Sequence, residues 1–160
     1  MVTNLKTISS INHIRALPDL LRQAVSGLTD NQLDTPYRDG GWTVRQVVHH
    51  LADSHANALI RMKLVLTEDN PILKPYDQDA WAQLPDCLQL PITDSLMLLQ
   101  SLHAKWSYLL DHIEDEDLAR TGNHLDDGTL TLERLIDGYA RHGINHVAQI
   151  NGLRHTMGWR

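Results

Sequence analysis

The chain has 160 residues, 42% hydrophobic and 21% charged, which are the proportions of a globular protein and not of a disordered or collagen-like chain; the length suits one domain over 1–160. A formal charge of −6 and a pI near 5.9, without a clustered basic face, argue against nucleic acid as a partner. No apolar run approaches the ~20 residues that span a bilayer, the first ten residues lack the apolar core of a signal peptide, and the lone Cys87 suits a reducing compartment, so a cytoplasmic protein with no membrane contact is expected.

Apolar residues from Ile8 to Val25 fall at helical spacing, with Pro18 in their midst as a kink or restart. The segment "GLTDNQLDTPYRDGG" reads as loop. Thr43, with Gln46 three residues on, forms a capping box that opens a second helix to about Thr67. Residues 69 to 92 hold Pro71, Pro75, Pro85 and Pro91 and predict a long crossover loop with a helical turn near Trp81. Thr93 or Asp94 caps a third helix whose stripe runs Leu96, Leu99, Leu102, Trp106, Leu109, Leu110, Ile113. After the polar stretch "EDEDLARTGNHLDDGTL", Thr131 caps a last helix that ends near Met157 before Gly158. "TLTL" at 129–132 alternates but is short, so no strand is assigned. Four long helical patterns predict an all-α four-helix bundle with a long crossover loop.

Ten histidines are the compositional outlier. On the last helix the stripe reads Leu132, Leu135, Tyr139, His142, His146, Ile150, Leu153, Met157, which stacks His142 and His146 one turn apart on one face. Two imidazoles so placed can reach one metal ion, or they can be core histidines bonded to neighbours. Catalytic zinc usually has three protein ligands and an open position, and the second helix offers His49, His50 and His55 in "VVHHLADSHAN". Periodicity sets His55 nearest the centre of that helix's stripe and His50 at its edge, and leaves the choice open. His103 reads as packing; His13, His112, His124 and His155 read as surface or turn residues. Asp53, one turn from His50, is a weak candidate for orienting it or acting as base, and equally a solvated residue or a partner of Arg61. There is no GxSxG elbow, phosphate loop or CxxC pair, and Cys87 reads as incidental.

The blocks "LDTPYRDGGWTVRQVVHHLADSH", "LLQSLHAKWSYLL" and "YARHGINHVAQINGLRHTMGW" resemble successive parts of the DinB/YfiT-like family, specifically the YfiT group of metal-dependent hydrolases. The resemblance covers nearly the whole chain and is weakest in the first helix. It implies a DinB-type four-helix bundle, generally dimeric, in which three histidines hold zinc or nickel: the His of the "HL" step, matching His50 before Leu51, and the HxxxH pair, matching His142 and His146. Relatives tend to read "YAWHGKHHVAHI" where this chain has Arg141, Asn145 and Gln149. None of these is a ligand in the matched scheme, but they change the wall around it.

The resemblance therefore implies a hydrolase in which the metal activates water at an open position, acting on a small molecule. Two alternatives stand beside it: a metal-dependent thiol transferase of the bacillithiol type, in which the open position takes a thiolate, and a non-catalytic module with a structural metal. A homodimer is also expected, because Ala58, Leu59, Ile60, Met62, Leu64, Val65 and Leu66 cannot all face one core.

Overall fold

The computed structural model describes residues 1–159. Four long helices make the bundle: α1 (Leu5–Val25), α3 (Val44–Thr67), α6 (Ile92–Leu110) and α7 (Leu132–Met157). Short helices fill the connections: α2 (Asp30–Leu33) before α3, then α4 (Gln78–Trp81) and α5 (Pro85–Gln89) in the proline-rich crossover. Helix α1 runs through Pro18, which neither breaks nor restarts it.

Local chemistry sets most boundaries. The Thr43 hydroxyl accepts from Gln46 N at 3.1 Å while Thr43 N donates to Gln46 Oε1 at 2.9 Å, the reciprocal box that satisfies two free amides. Thr131 caps α7 through Arg134 N, and Gly158 ends it at φ 67°, a conformation that costs glycine nothing. The start of α6 departs from expectation. Pro91 occupies the cap position and the helix begins at Ile92 with no side-chain cap, since the fixed φ of proline leads directly into the first turn.

The structure also holds a small sheet that hydropathy pattern did not predict. Strand β1 (Ile72–Leu73) pairs in parallel with β2 (Thr121–His124), which pairs antiparallel with β3 (Gly128–Thr131). Strands this short carry no detectable period. The sheet lies close on α3 because Gly122 has no side chain: a Cβ there would stand 2.8 Å from Leu73 Cδ1 and 2.9 Å from Val65 Cγ2. His124, expected at the surface, is buried in this packing.

Two apolar clusters make up the core. One gathers Ile11, Ile14, Ala58, Met62, Trp106 and Ile136; the other gathers Leu17, Leu21, Val47, Leu51, Leu99 and Ile150. Between them each of α3, α6 and α7 contributes histidine: His50 and His55, His103, and His142 with His146. The supposed apolar excess of α3 is mostly covered within the chain. Leu64 and Leu66 pack against the first cluster, leaving Ile60 exposed.

Candidate metal centre

Helix α3 delivers His50 and helix α7 delivers His142 and His146 to one point. Their ligating nitrogens lie within 4.8 Å of one another, with His50 Nε2 3.0 Å and His146 Nε2 3.2 Å from His142 Nε2. The buried face of α7 holds Leu132, Leu135 and Ile150 of the expected stripe, but between them it runs through Ile136, Ala140, Gly143 and Val147, while His142 and His146 are half-buried at its flank. Helix α7 approaches α1 closely at Gly143, where a Cβ would stand 2.7 Å from Leu17 Cδ2.

The histidines left open on α3 divide by partner. His49 is spent structurally, with Nδ1 2.7 Å from Ser95 Oγ and Nε2 3.1 Å from Leu90 O. His55 sits at the centre of the stripe, as periodicity has it, and is fully buried. Its Nε2 lies 3.3 Å from His142 Nδ1 and its Nδ1 lies 2.9 Å from His103 Nε2. His103 Nδ1 in turn lies 2.6 Å from Ile14 O.

The direction of every proton in this wire follows from its end. A carbonyl only accepts, so His103 carries its proton on Nδ1 and offers a lone pair at Nε2. His55 must then donate from Nδ1 and accept at Nε2, and His142 must donate from Nδ1. That leaves His142 Nε2 as a bare lone pair facing His50 and His146. Ile14 O is free to terminate the wire because the residue four positions on, whose amide would bond it inside α1, is Pro18.

His146 is fixed in the same sense by another partner. Gln149 Oε1 accepts from His146 Nδ1 at 2.8 Å, so His146 Nε2 is also a lone pair, 3.2 Å from that of His142. Burial, with the neighbouring imidazoles, pushes His50 and His142 down to about 3; burial lowers His146 despite the opposing effect of Gln149. At neutral pH no proton lies between His142 Nε2 and His146 Nε2; the proton of neutral His50 points to His142 Nε2 when it sits on Nε2. Neutral imidazole lone pairs meeting at one point are a donor set that could hold a divalent transition metal. Trp42 walls the cluster, its ring 4.6 Å from His50 and 6.4 Å from His146 between centroids.

Two recesses open beside the cluster. One, of about 490 Å³, is bounded by Tyr37, Trp42, Asp79, His142 and His146; the other, of about 550 Å³, is bounded by Arg61, Tyr139 and His142 among others. Asp53 Oδ2 accepts from the Cys87 thiol at 3.8 Å, and among the described residues no hydrogen bond joins its carboxylate to His50 or Arg61. The acceptors that do orient the cluster are His55 and Gln149, the first read as a rival ligand and the second as wall.

Residues 13–150 match the DinB superfamily. The chain belongs to the DinB superfamily. Its DinB relatives include a Bacillus cereus protein named "Putative metal-dependent hydrolase", 52% identical over 93% of this chain and 86% of the relative. A protein of the same description from Oceanobacillus iheyensis is 48% identical over 99% of this chain and 91% of the relative. Among solved structures, YfiT from Bacillus subtilis, "a probable metal-dependent hydrolase with an unusual four-helix bundle topology", superposes with a TM-score of 0.95 at 46% identity, over 100% of this chain and 92% of YfiT. The four-helix arrangement described above is thus that of YfiT, with the sheet a minor addition.

Proposed function

We propose that this DinB protein is a metal-dependent hydrolase in which His50, His142 and His146 hold one zinc or nickel ion. The observation that carries the reading is the apposition of the His142 and His146 Nε2 lone pairs at 3.2 Å, each fixed by a donor bond on the other side of its ring. Such a pair is repulsive unless a cation lies between, and burial disfavours a second proton on either ring. Three neutral ligands leave a divalent ion its full charge and an open position, and a metal so held supplies Lewis-acid activation of water.

The chain's own groups do the rest. His55 and Gln149 keep two Nε2 atoms unprotonated, so neither ring must lose a proton to bind. Trp42 packs its ring against His50. The recesses seat a small molecule against His142. We assign no proton transfer to Asp53, whose partner is Cys87. The same reading carries a cytoplasmic homodimer acting on small-molecule substrate.

Elemental analysis of the purified protein beside His142→Ala tests the site: about one metal per chain is expected in the first and a marked loss in the variant, and equal content would refute the assignment. An ester and amide screen tests the reaction. Turnover abolished by chelation and independent of added thiol is expected; turnover strictly dependent on bacillithiol or another low-molecular-weight thiol would replace the hydrolase by a transferase.

A further inference from the structure

The larger recess differs in character from the rest of the molecule. Its wall carries Lys6, Arg61, Arg134 and Arg141 against Asp127 and Asp137, a local excess of cations in a chain of net charge −6. Half of these charges are committed to one another: Lys6 and Arg141 both lie 3.4 Å from Asp137 Oδ2. Asp127 N donates to His124 Nδ1 at 3.3 Å.

Arg61 is different. Its Nη1 donates to Tyr139 Oη at 2.7 Å and its Nη2 donates to Lys74 O at 2.6 Å. Among the described residues no carboxylate pairs with it. Arg61 is half-buried, its guanidinium pinned at two points by neutral oxygens and keeping further N–H donors free. Holding a long cation still costs side-chain entropy, and a guanidinium fixed by neutral oxygens with N–H donors to spare is suited to recognise an anion.

Tyr139 completes the receptor. Its oxygen accepts from Arg61, so its own proton has no acceptor among the described residues and is available to the recess. Tyr139 stands one turn before His142 on α7, with ring centroids 6.3 Å apart.

We infer that Arg61 and Tyr139 form an oxyanion subsite and that the substrate is a small molecule bearing a carboxylate, seated by these two residues with its reacting bond toward the histidine cluster. The carboxylate oxygens take one charge-assisted bond from the free edge of the guanidinium and one from the phenol. For the reacting bond this rests on the hydrolase reading; the anion subsite itself does not.

The test is binding of succinate, with succinamide as neutral counterpart, to metal-free and zinc-loaded protein by titration calorimetry. Variants are Arg61→Gln, Tyr139→Phe, and Arg22→Gln as an equal change of charge on α1 outside the recess; melting and zinc content are measured for each. Succinate is expected to bind both forms of the wild type and Arg22→Gln, and succinamide is not. Arg61→Gln should weaken succinate about ten-fold or more and Tyr139→Phe by about several-fold, the size of a lost charged or neutral hydrogen bond. Arg61→Lys tests the fork, since it keeps the charge and should recover only part of the affinity. Equal binding by wild type and Arg61→Gln, binding only to the zinc form and insensitive to Arg61, or no binding at millimolar succinate would each overturn the inference. Failure of every ester to turn over, with Arg61-dependent succinate binding intact, would sink the hydrolase reading and leave the subsite standing.

Discussion

Replacing His55 by Leu cuts the imidazole wire at the ring that touches His142. In the intact protein the Ile14 carbonyl forces His103, His55 and His142 each to carry the proton on Nδ1, which presents the His142 Nε2 lone pair before any metal arrives. Leu at 55 removes the acceptor of that proton, and His142 then distributes between tautomers. Loss of an outer partner of this kind typically costs 10–100-fold in metal affinity, roughly 1.4 to 2.7 kcal/mol. The bond from His142 Nδ1 to His55 Nε2 is 3.3 Å, at the long end for an N–H donor, so the expected loss is near the lower figure, about ten-fold. Zinc affinity by competition with a chromophoric chelator measures it, and nitrogen-15 spectra of the metal-free protein should show His142 protonated on Nδ1 in the wild type and mixed in the variant. His55→Gln keeps an acceptor oxygen in reach of His142 and should recover much of the affinity. Zinc binding by His55→Leu within two-fold of wild type, at equal melting temperature, would refute the reasoning. So would an Nε2-protonated His142 in the metal-free wild type.

Two further outcomes concern the frame around the site. Burial holds His103 down to about 4 against about 6.5 in an unfolded chain, so between these values the unfolded state binds more protons and stability falls as pH falls. The contribution reaches about 3 kcal/mol below pH 4, and urea unfolding across pH 7 to 4 should show a shallower acid slope in His103→Gln; an unchanged slope would contradict it. Gly143→Val should destabilise by about 1–3 kcal/mol, because the added Cβ would stand 2.7 Å from Leu17 Cδ2 and Leu17 is too buried to move aside; a melting temperature equal to wild type would show that α7 shifts freely against α1.

What was legible in the sequence divides along physical lines. The long helices announce themselves because each repeats its apolar period over several turns and carries a cap, as Thr43 with Gln46 and Thr131 do. The sheet of two- and four-residue strands is too short for a period to exist, and Gly122 shows its role only once Leu73 and Val65 are packed above it. Periodicity favours His55 over His50 because it ranks positions along one stripe, whereas residues 44–52 are buried on every side of the helix and leave no edge to read. The resemblance pointed to His50, and the structure brings that ring to His142 and His146. On α7 the same reasoning finds Leu132, Leu135 and Ile150 but takes the two histidines as the middle of the stripe, where Gly143 and Val147 beside them are the buried residues.

Pro18 is the clearest case of a residue whose local signal and tertiary role differ. From its own helix it is a defect, a missing amide opposite the Ile14 carbonyl. That carbonyl would be costly if left buried without a donor, and the donor supplied is His103, from another helix. The defect therefore selects a tautomer, and two hydrogen bonds later that choice reaches His142. Had residue 18 kept its amide, Ile14 O would already have a donor within α1, and His103 would be held less firmly with its proton on Nδ1. A lone-pair-bearing nitrogen at the candidate metal centre thus depends on a backbone vacancy in a helix that contributes no side chain to the centre. No window along the sequence contains both.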